Sequence, residues 1–126
     1  MTTLTKAEEQ VMKILWDQRE GFVKELLQHF PEPKPAYNTV STIIRILEKK
    51  GFVDHRSFGK SHQYFPLVSR EQYRNERFST LMKEYFNNSM QQVLSHFGKT
   101  GSLNMKEADE IIKMMEEIKQ KTETDE

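Results

Sequence analysis

Residues 38–53 read NTVSTIIRILEKKGFV, and this stretch decides the fold. Its apolar residues Val40, Ile43, Ile44 and Leu47 recur at i, i+3, i+4 and i+7, the period that gives a helix one buried stripe. The opposite side carries Asn38, Ser41, Thr42, Arg45 and Lys49, short polar groups followed by cations. Lys49 and Lys50 suit the negative end of a helix, and Gly51 supplies the left-handed residue that commonly follows one. A helix is therefore predicted over residues 36–50, with one face for a core and the other free for polar contacts.

Pro31, Pro33 and Pro35 place a stiff connector before this helix, since each proline lacks an amide donor and restrains its predecessor. Two more helices are expected upstream. Thr5 and Glu8 have the spacing of a capping box, and Ala7, Val11, Ile14 and Leu15 follow as a helical stripe that Met12 and Trp16 widen. Past Gly21, Val23, Leu26, Leu27 and Phe30 repeat the pattern over Phe22–Phe30. Downstream, Phe52–Phe58 and His62–Phe65 read as the two strands of a hairpin joined by Gly59-Lys60-Ser61, and Pro66 stops the second.

The remainder is helical. Ser69 with Gln72 makes a second capping box, Asn87-Asn88-Ser89 interrupts the helix that follows, and Gly98 to Gly101 forms a flexible break. Asn104 then caps a last helix with Glu107 at the third position, and Leu103 with Ala108 forms a hydrophobic staple.

Three helices and a hairpin in 66 residues are the order of a winged helix-turn-helix domain, in which the second helix of the motif offers its N-terminal side chains to base edges in the major groove. The fold class expected is mostly α with a small β-hairpin: a winged helix domain over residues 1–68, then a helical dimerisation region over 69–126. Base reading calls for short donors and acceptors where the helix enters the groove, which Asn38, Thr39, Ser41, Thr42 and Arg45 supply. Lys49, Lys50, Arg56 and Lys60 would meet phosphates, which fix position without specifying sequence.

The chain has 126 residues, 19 basic and 19 acidic side chains, and a formal net charge of zero. Neutrality alone is a poor fit to nucleic acid, yet the charge is graded: residues 1–66 and 67–104 each carry a net +2, and residues 105–126 a net −4. Without cysteine, disulfides, thiolate nucleophiles and Cys-based zinc or copper sites are excluded. The polar N-terminus does not read as a signal peptide, and no apolar run approaches the roughly 20 residues that span a bilayer, so a cytoplasmic location is expected.

The tail carries too much apolar surface for a small winged domain to cover. Phe78, Leu81, Met82, Tyr85, Phe86, Met90, Val93 and Leu94 form one stripe, and Ile111, Ile112, Met115 and Ile118 another. A homodimer can bury both about a two-fold axis, which a palindromic operator would mirror.

Three segments carry a resemblance. Leu4-Thr-Lys-Ala-Glu8 with Val11 to Trp16, Asn38 to Val53, and Tyr64-Phe-Pro-Leu67 resemble the penicillinase and methicillin-resistance repressors of the BlaI/MecI type. The match is strong over residues 4–67 and weaker in letters beyond. The resemblance implies a dimeric repressor on palindromic operator DNA, joined through its C-terminal helices and connected with antibiotic resistance. It also implies a membrane sensor metalloprotease that cleaves the repressor between two C-terminal helices. Family repressors carry an Asn-Phe bond there, and His96-Phe97 occupies the matching place. Some members have Arg where Ser41 stands, so the operator read can differ. Copper-sensing relatives carry a C-terminal cysteine set that this chain lacks.

Other chemistry finds less support. His55 and His62 across the hairpin, with Asp54, give too few ligands for a metal site. There is no nucleophile elbow, and Gly98 to Gly101 lacks the strand and glycine spacing of a phosphate loop. No cofactor, metal or enzymatic activity is expected. The competing reading is a winged-helix module whose basic helix meets an acidic protein partner.

Overall fold

Thr5 opens the first helix as its spacing requires: its hydroxyl accepts from the Glu8 amide at 3.2 Å, and the Glu8 carboxylate accepts from the Thr5 amide at 2.8 Å. The computed structural model describes residues 3–124. Helix α1 (Lys6–Gln18) leads to a short strand β1 (Gly21–Phe22), helix α2 (Val23–Leu27), helix α3 (Tyr37–Lys49) and strands β2 (Val53–Phe58) and β3 (Ser61–Pro66). Helices α4 (Arg70–Phe86), α5 (Met90–Thr100) and α6 (Met105–Thr124) follow.

The sheet has three antiparallel strands in the order β1-β3-β2, where a two-stranded hairpin was expected. Gly21 pairs with Tyr64 and Phe22 with Gln63, so the start of the predicted second helix is a strand. Local packing gives the reason. A Cβ at Gly21 would lie 3.0 Å from Leu26 Cδ2, a tight contact that the Leu26 side chain would have to shift to admit. The Glu25 carboxylate then accepts the Phe22 amide at 2.9 Å and starts α2 one residue later. Between β2 and β3, Phe58 faces Ser61 across a two-residue turn, with Gly59 at φ +64°. That left-handed angle at the first turn position is one glycine adopts without strain.

The predicted stripe of α3 is the centre of the core. Val40, Ile44 and Leu47 are fully buried against Val11, Met12 and Leu15 of α1, and Phe52 and Val53 close the layer. Each such side chain contributes roughly 1.5–3 kcal/mol of transfer free energy. Ala7, placed in the α1 stripe by its spacing, is exposed; Glu8 takes the inward position instead.

A buried carboxylate needs a partner, and Glu8 has one. Lys50 Nζ donates to both its oxygens, at 2.7 and 2.9 Å, tying the start of α1 to the end of α3. Burial alone would push the Glu8 carboxyl up. The Lys50 ammonium and the Thr5 amide and hydroxyl outweigh it and hold the carboxyl below its ordinary value.

The chain forms two compact units, residues 1–78 and 79–126, a division ten residues beyond the expected 68/69 boundary. The first half of α4 belongs to the N-terminal unit because Tyr73 is part of its core. The Tyr73 ring packs edge-on to Phe52 and tilted against Trp16, and its hydroxyl accepts the Leu4 amide at 3.2 Å. Trp16 Nε1 donates to the Val68 carbonyl at 2.8 Å, and Arg70 reaches Asp17 at 2.6 Å. Ser69 and Gln72 form the predicted capping box that starts α4.

In the second unit, Asn87 and Asn88 adopt left-handed φ values of 51° and 59° and separate α4 from α5. Ser89 caps α5 through the Gln92 amide. The helix runs through Gly98 and stops at Gly101, φ +76°, so the expected break at Gly98 lies three residues later. Asn104 caps α6 by accepting from the Glu107 amide at 2.8 Å. Met82 and Val93 are the buried residues of this unit.

Candidate nucleic-acid interface

Burying Val40, Ile44 and Leu47 turns the other face of α3 outward. Asn38, Thr39, Thr42, Arg45 and Lys49 are exposed and Ser41 is half-buried, so six of the predicted DNA-contacting residues share one helix face or its ends. No acidic residue stands in the first turn of α3. A duplex approaching that end meets amides, hydroxyls and the positive end of the helix dipole.

Arg45 lines the groove beside the sheet. Its guanidinium lies near the Tyr64 hydroxyl of β3, close enough to draw the phenol's titration down. Burial and then the nearby Glu48 carboxylate push the Tyr64 phenol up, against the pull of Arg45.

The remaining predicted cations divide. Lys60 stands exposed at the hairpin turn. Lys50 is turned inward to Glu8, with its side chain 28% exposed, so its expected role on phosphates is replaced by a structural one. Arg56 pairs with Glu20 at 3.1 Å and lies 4.4 Å above the Phe65 ring, on a different part of the hairpin from the α3 groove.

Sequence reasoning missed several residues of this surface. Lys24, Tyr37, Ser61 and His62 line one groove with Ser41, Arg45 and Lys60, between α2, α3 and the hairpin. Tyr37 lay within the helix predicted over residues 36–50 and was not singled out there; it is the first residue of α3. Lys24 carried no signal, because its neighbours read as an ordinary amphipathic turn.

His55 and His62 do face each other across the hairpin, their rings stacked at 4.0 Å and 9°. The ligand atoms that gather, however, are those of Glu48, Asp54 and His55, all within 4.8 Å of one another. Those groups already satisfy each other: His55 Nδ1 bonds Glu48, and the Asp54 carboxylate accepts the His55 amide at 2.8 Å.

The predicted dimerisation residues have two fates. Met82 and Val93 are buried within their own chain, and Phe86, Leu94 and Ile111 are half-buried. Phe78, Leu81, Tyr85, Met90, Ile112, Met115 and Ile118 remain exposed. His96 and Phe97 are exposed too, but the bond between them lies inside α5 and not in the connection between helices. The helix continues past it because Gly98 keeps helical geometry and the chain turns only at Gly101. No helix among the described residues is long and apolar enough to cross a membrane.

Three packed helices, a small antiparallel sheet with a protruding hairpin and an outward polar face on the third helix define a winged helix-turn-helix protein of the DNA-binding repressor class. The chain belongs to the penicillinase repressor family, whose model matches residues 4–117. It is 22% identical over 117 residues to the penicillinase repressor of Bacillus licheniformis, covering 92% of this chain and 91% of that one. It is 23% identical over 109 residues to the methicillin resistance regulatory protein MecI of Staphylococcus aureus (strain N315), covering 86% and 89%. Among solved structures, the DNA-binding domain of the repressor BlaI aligns with a TM-score of 0.50 and 25% identity over 56% of this chain and 88% of that domain.

Proposed function

We propose that this chain is a transcriptional repressor that binds a palindromic operator as a homodimer, with α3 in the major groove and the β2–β3 hairpin as the wing. The observation that carries this is the division of α3 into a fully buried apolar stripe and an outward face of Asn38, Thr39, Thr42, Arg45 and Lys49. Asn38, Thr39, Ser41 and Thr42 would meet base edges, Arg45 bases or backbone, and Lys49 and Lys60 phosphates. Repression then follows from occupying promoter DNA.

Dimerisation through the second unit is supported by its exposed Leu81, Tyr85, Ile112, Met115 and Ile118, large apolar side chains that a second copy could bury. Two weakly charged heads on one palindrome gain affinity from linkage, which suits a chain of zero net charge. Relief of repression by a membrane sensor metalloprotease is part of this reading. Because the His96–Phe97 bond is helical, a protease would have to unwind the end of α5 to reach it.

The test is a gel shift with duplexes tiled across the region upstream of the protein's own gene, at several salt concentrations. A specific shift that weakens with salt is expected; no specific band, or binding indifferent to salt, overturns the proposal. The cations on α3 also fit an acidic protein partner. Replacing Asn38 and Thr42 by Ala separates the two, since a DNA reader loses sequence preference while a charge-driven contact stays unchanged.

A further inference from the structure

The pairing of cations across the N-terminal unit is uneven. Lys50, Arg56 and Arg70 each have a carboxylate partner, at 2.7, 3.1 and 2.6 Å. Lys24 and Lys60 have none among the described residues, yet they converge on one groove of about 590 Å³ together with His62 and Arg45. Glu25 is the carboxylate lining that groove, and its Oε1 is spent on the Phe22 amide. Lys24, Lys60 and Arg45 outnumber that one carboxylate, which stays charged while it accepts the amide, and a surplus of like charge favours a bound anion.

The rest of the lining says which anion fits. Phe22 and Phe58 meet edge to face at 5.8 Å on one side of the groove, and Phe58 is 55% exposed. A free phosphate has no use for that apolar side, whereas a nucleotide's backbone offers a charged phosphate next to an apolar deoxyribose.

We propose that this groove is a sugar–phosphate clamp: Lys24, Lys60 and His62 surround one backbone phosphate of bound duplex DNA, and Phe22 and Phe58 pack on the adjoining deoxyribose. The clamp rests on the reading of the chain as a DNA-binding repressor. It adds a fixed contact from α2, outside the recognition helix and the hairpin turn. Because Ser41 and Arg45 line the same groove, the phosphate held there sets how far α3 slides along the major groove. A positioning role for Lys24 follows.

The experiment is a fluorescence anisotropy titration of the full chain against its upstream duplex at five salt concentrations. Lys24→Ala and Lys60→Ala are each expected to weaken binding roughly three- to eightfold at 0.1 M salt and to lower the salt slope by about one. Phe58→Ala should weaken binding with the slope unchanged. Arg56→Ala removes the same charge from the same hairpin but breaks an ion pair, and should move the slope by well under one. The exposed positions of all four keep the fold intact, which an unchanged circular dichroism spectrum verifies. Wild-type binding with Lys24→Ala and Lys60→Ala no different from Arg56→Ala overturns the clamp and leaves the repressor reading standing. A wild-type chain that binds no duplex at all overturns both. As a last arm, a duplex with one neutral methylphosphonate linkage at the clamped position should weaken the wild type more than Lys24→Ala, which keeps only Lys60 and His62 on that phosphate; equal weakening of both contradicts the assignment.

Discussion

Residues 1–78 and 79–126 use apolar side chains in opposite ways. In the first unit Val40, Ile44 and Leu47 have no exposed surface; in the second, Tyr85 is 73% and Ile118 62% exposed. The first unit closes a core from within its own chain and leaves polar groups outward. Among its described residues the second places only Met82 and Val93 inside and turns a series of Leu, Ile, Met and Tyr residues to the surface. Similar composition thus serves two ends: in the head, apolar burial fixes the position of the polar face of α3, and in the tail the exposed apolar side chains are the surface that the proposed dimer would cover.

Cutting into each side sharpens that difference. Ile44→Ala should cost about 2–5 kcal/mol, lowering the thermal midpoint of the head, because a cavity opens where Ile44 is fully enclosed. Placing Asp at Ile112 and Met115 should leave the head's unfolding free energy within about 0.5 kcal/mol of wild type. It should instead convert the sedimentation behaviour from dimer to monomer. If that pair unfolds the head, or leaves assembly untouched, the contrast between the units fails.

A smaller effect is expected from the Glu8–Lys50 pair. Lys50→Met leaves the Glu8 carboxylate buried without its partner and should cost on the order of 3 kcal/mol. The pH dependence has a definite sign. Glu8 is held below its ordinary value of 4.5 in the folded chain, so its stabilisation is complete above that value and is lost as the pH falls through the lowered folded one. Lys50→Met should therefore move the acid unfolding midpoint to higher pH in a denaturation series. Smaller again is Thr5→Ala, which removes half of the capping box and should cost about 1 kcal/mol by urea unfolding. Arg56→Ala, exposed and ion-paired, should change stability by less than about 0.5 kcal/mol.

The legible parts of the fold were those with a period or a capping signature. The α3 stripe, the Thr5, Ser69 and Asn104 caps and the Gly59 turn all follow from neighbours in sequence. What stayed hidden depends on partners distant in the chain. Phe22 becomes a strand because Gln63 is beside it, and Lys50 turns inward because Glu8 lies buried 42 residues away. Tyr73 joins the first unit through Leu4, Trp16 and Phe52. The same holds for the candidate interface. Its helix face was readable from spacing, but the separation of Lys24 and Lys60 from the paired cations Lys50 and Arg56 exists only once the carboxylates have been placed.

The most direct measurement is the affinity of the Arg45→Ala, Lys49→Ala double variant for the upstream duplex, taken beside its sedimentation profile. The expected result is loss of specific binding, at least tenfold at 0.1 M salt, with the dimer and the thermal midpoint retained. Binding equal to wild type, from a variant that still folds and assembles, would contradict the assignment of α3 as the reading helix.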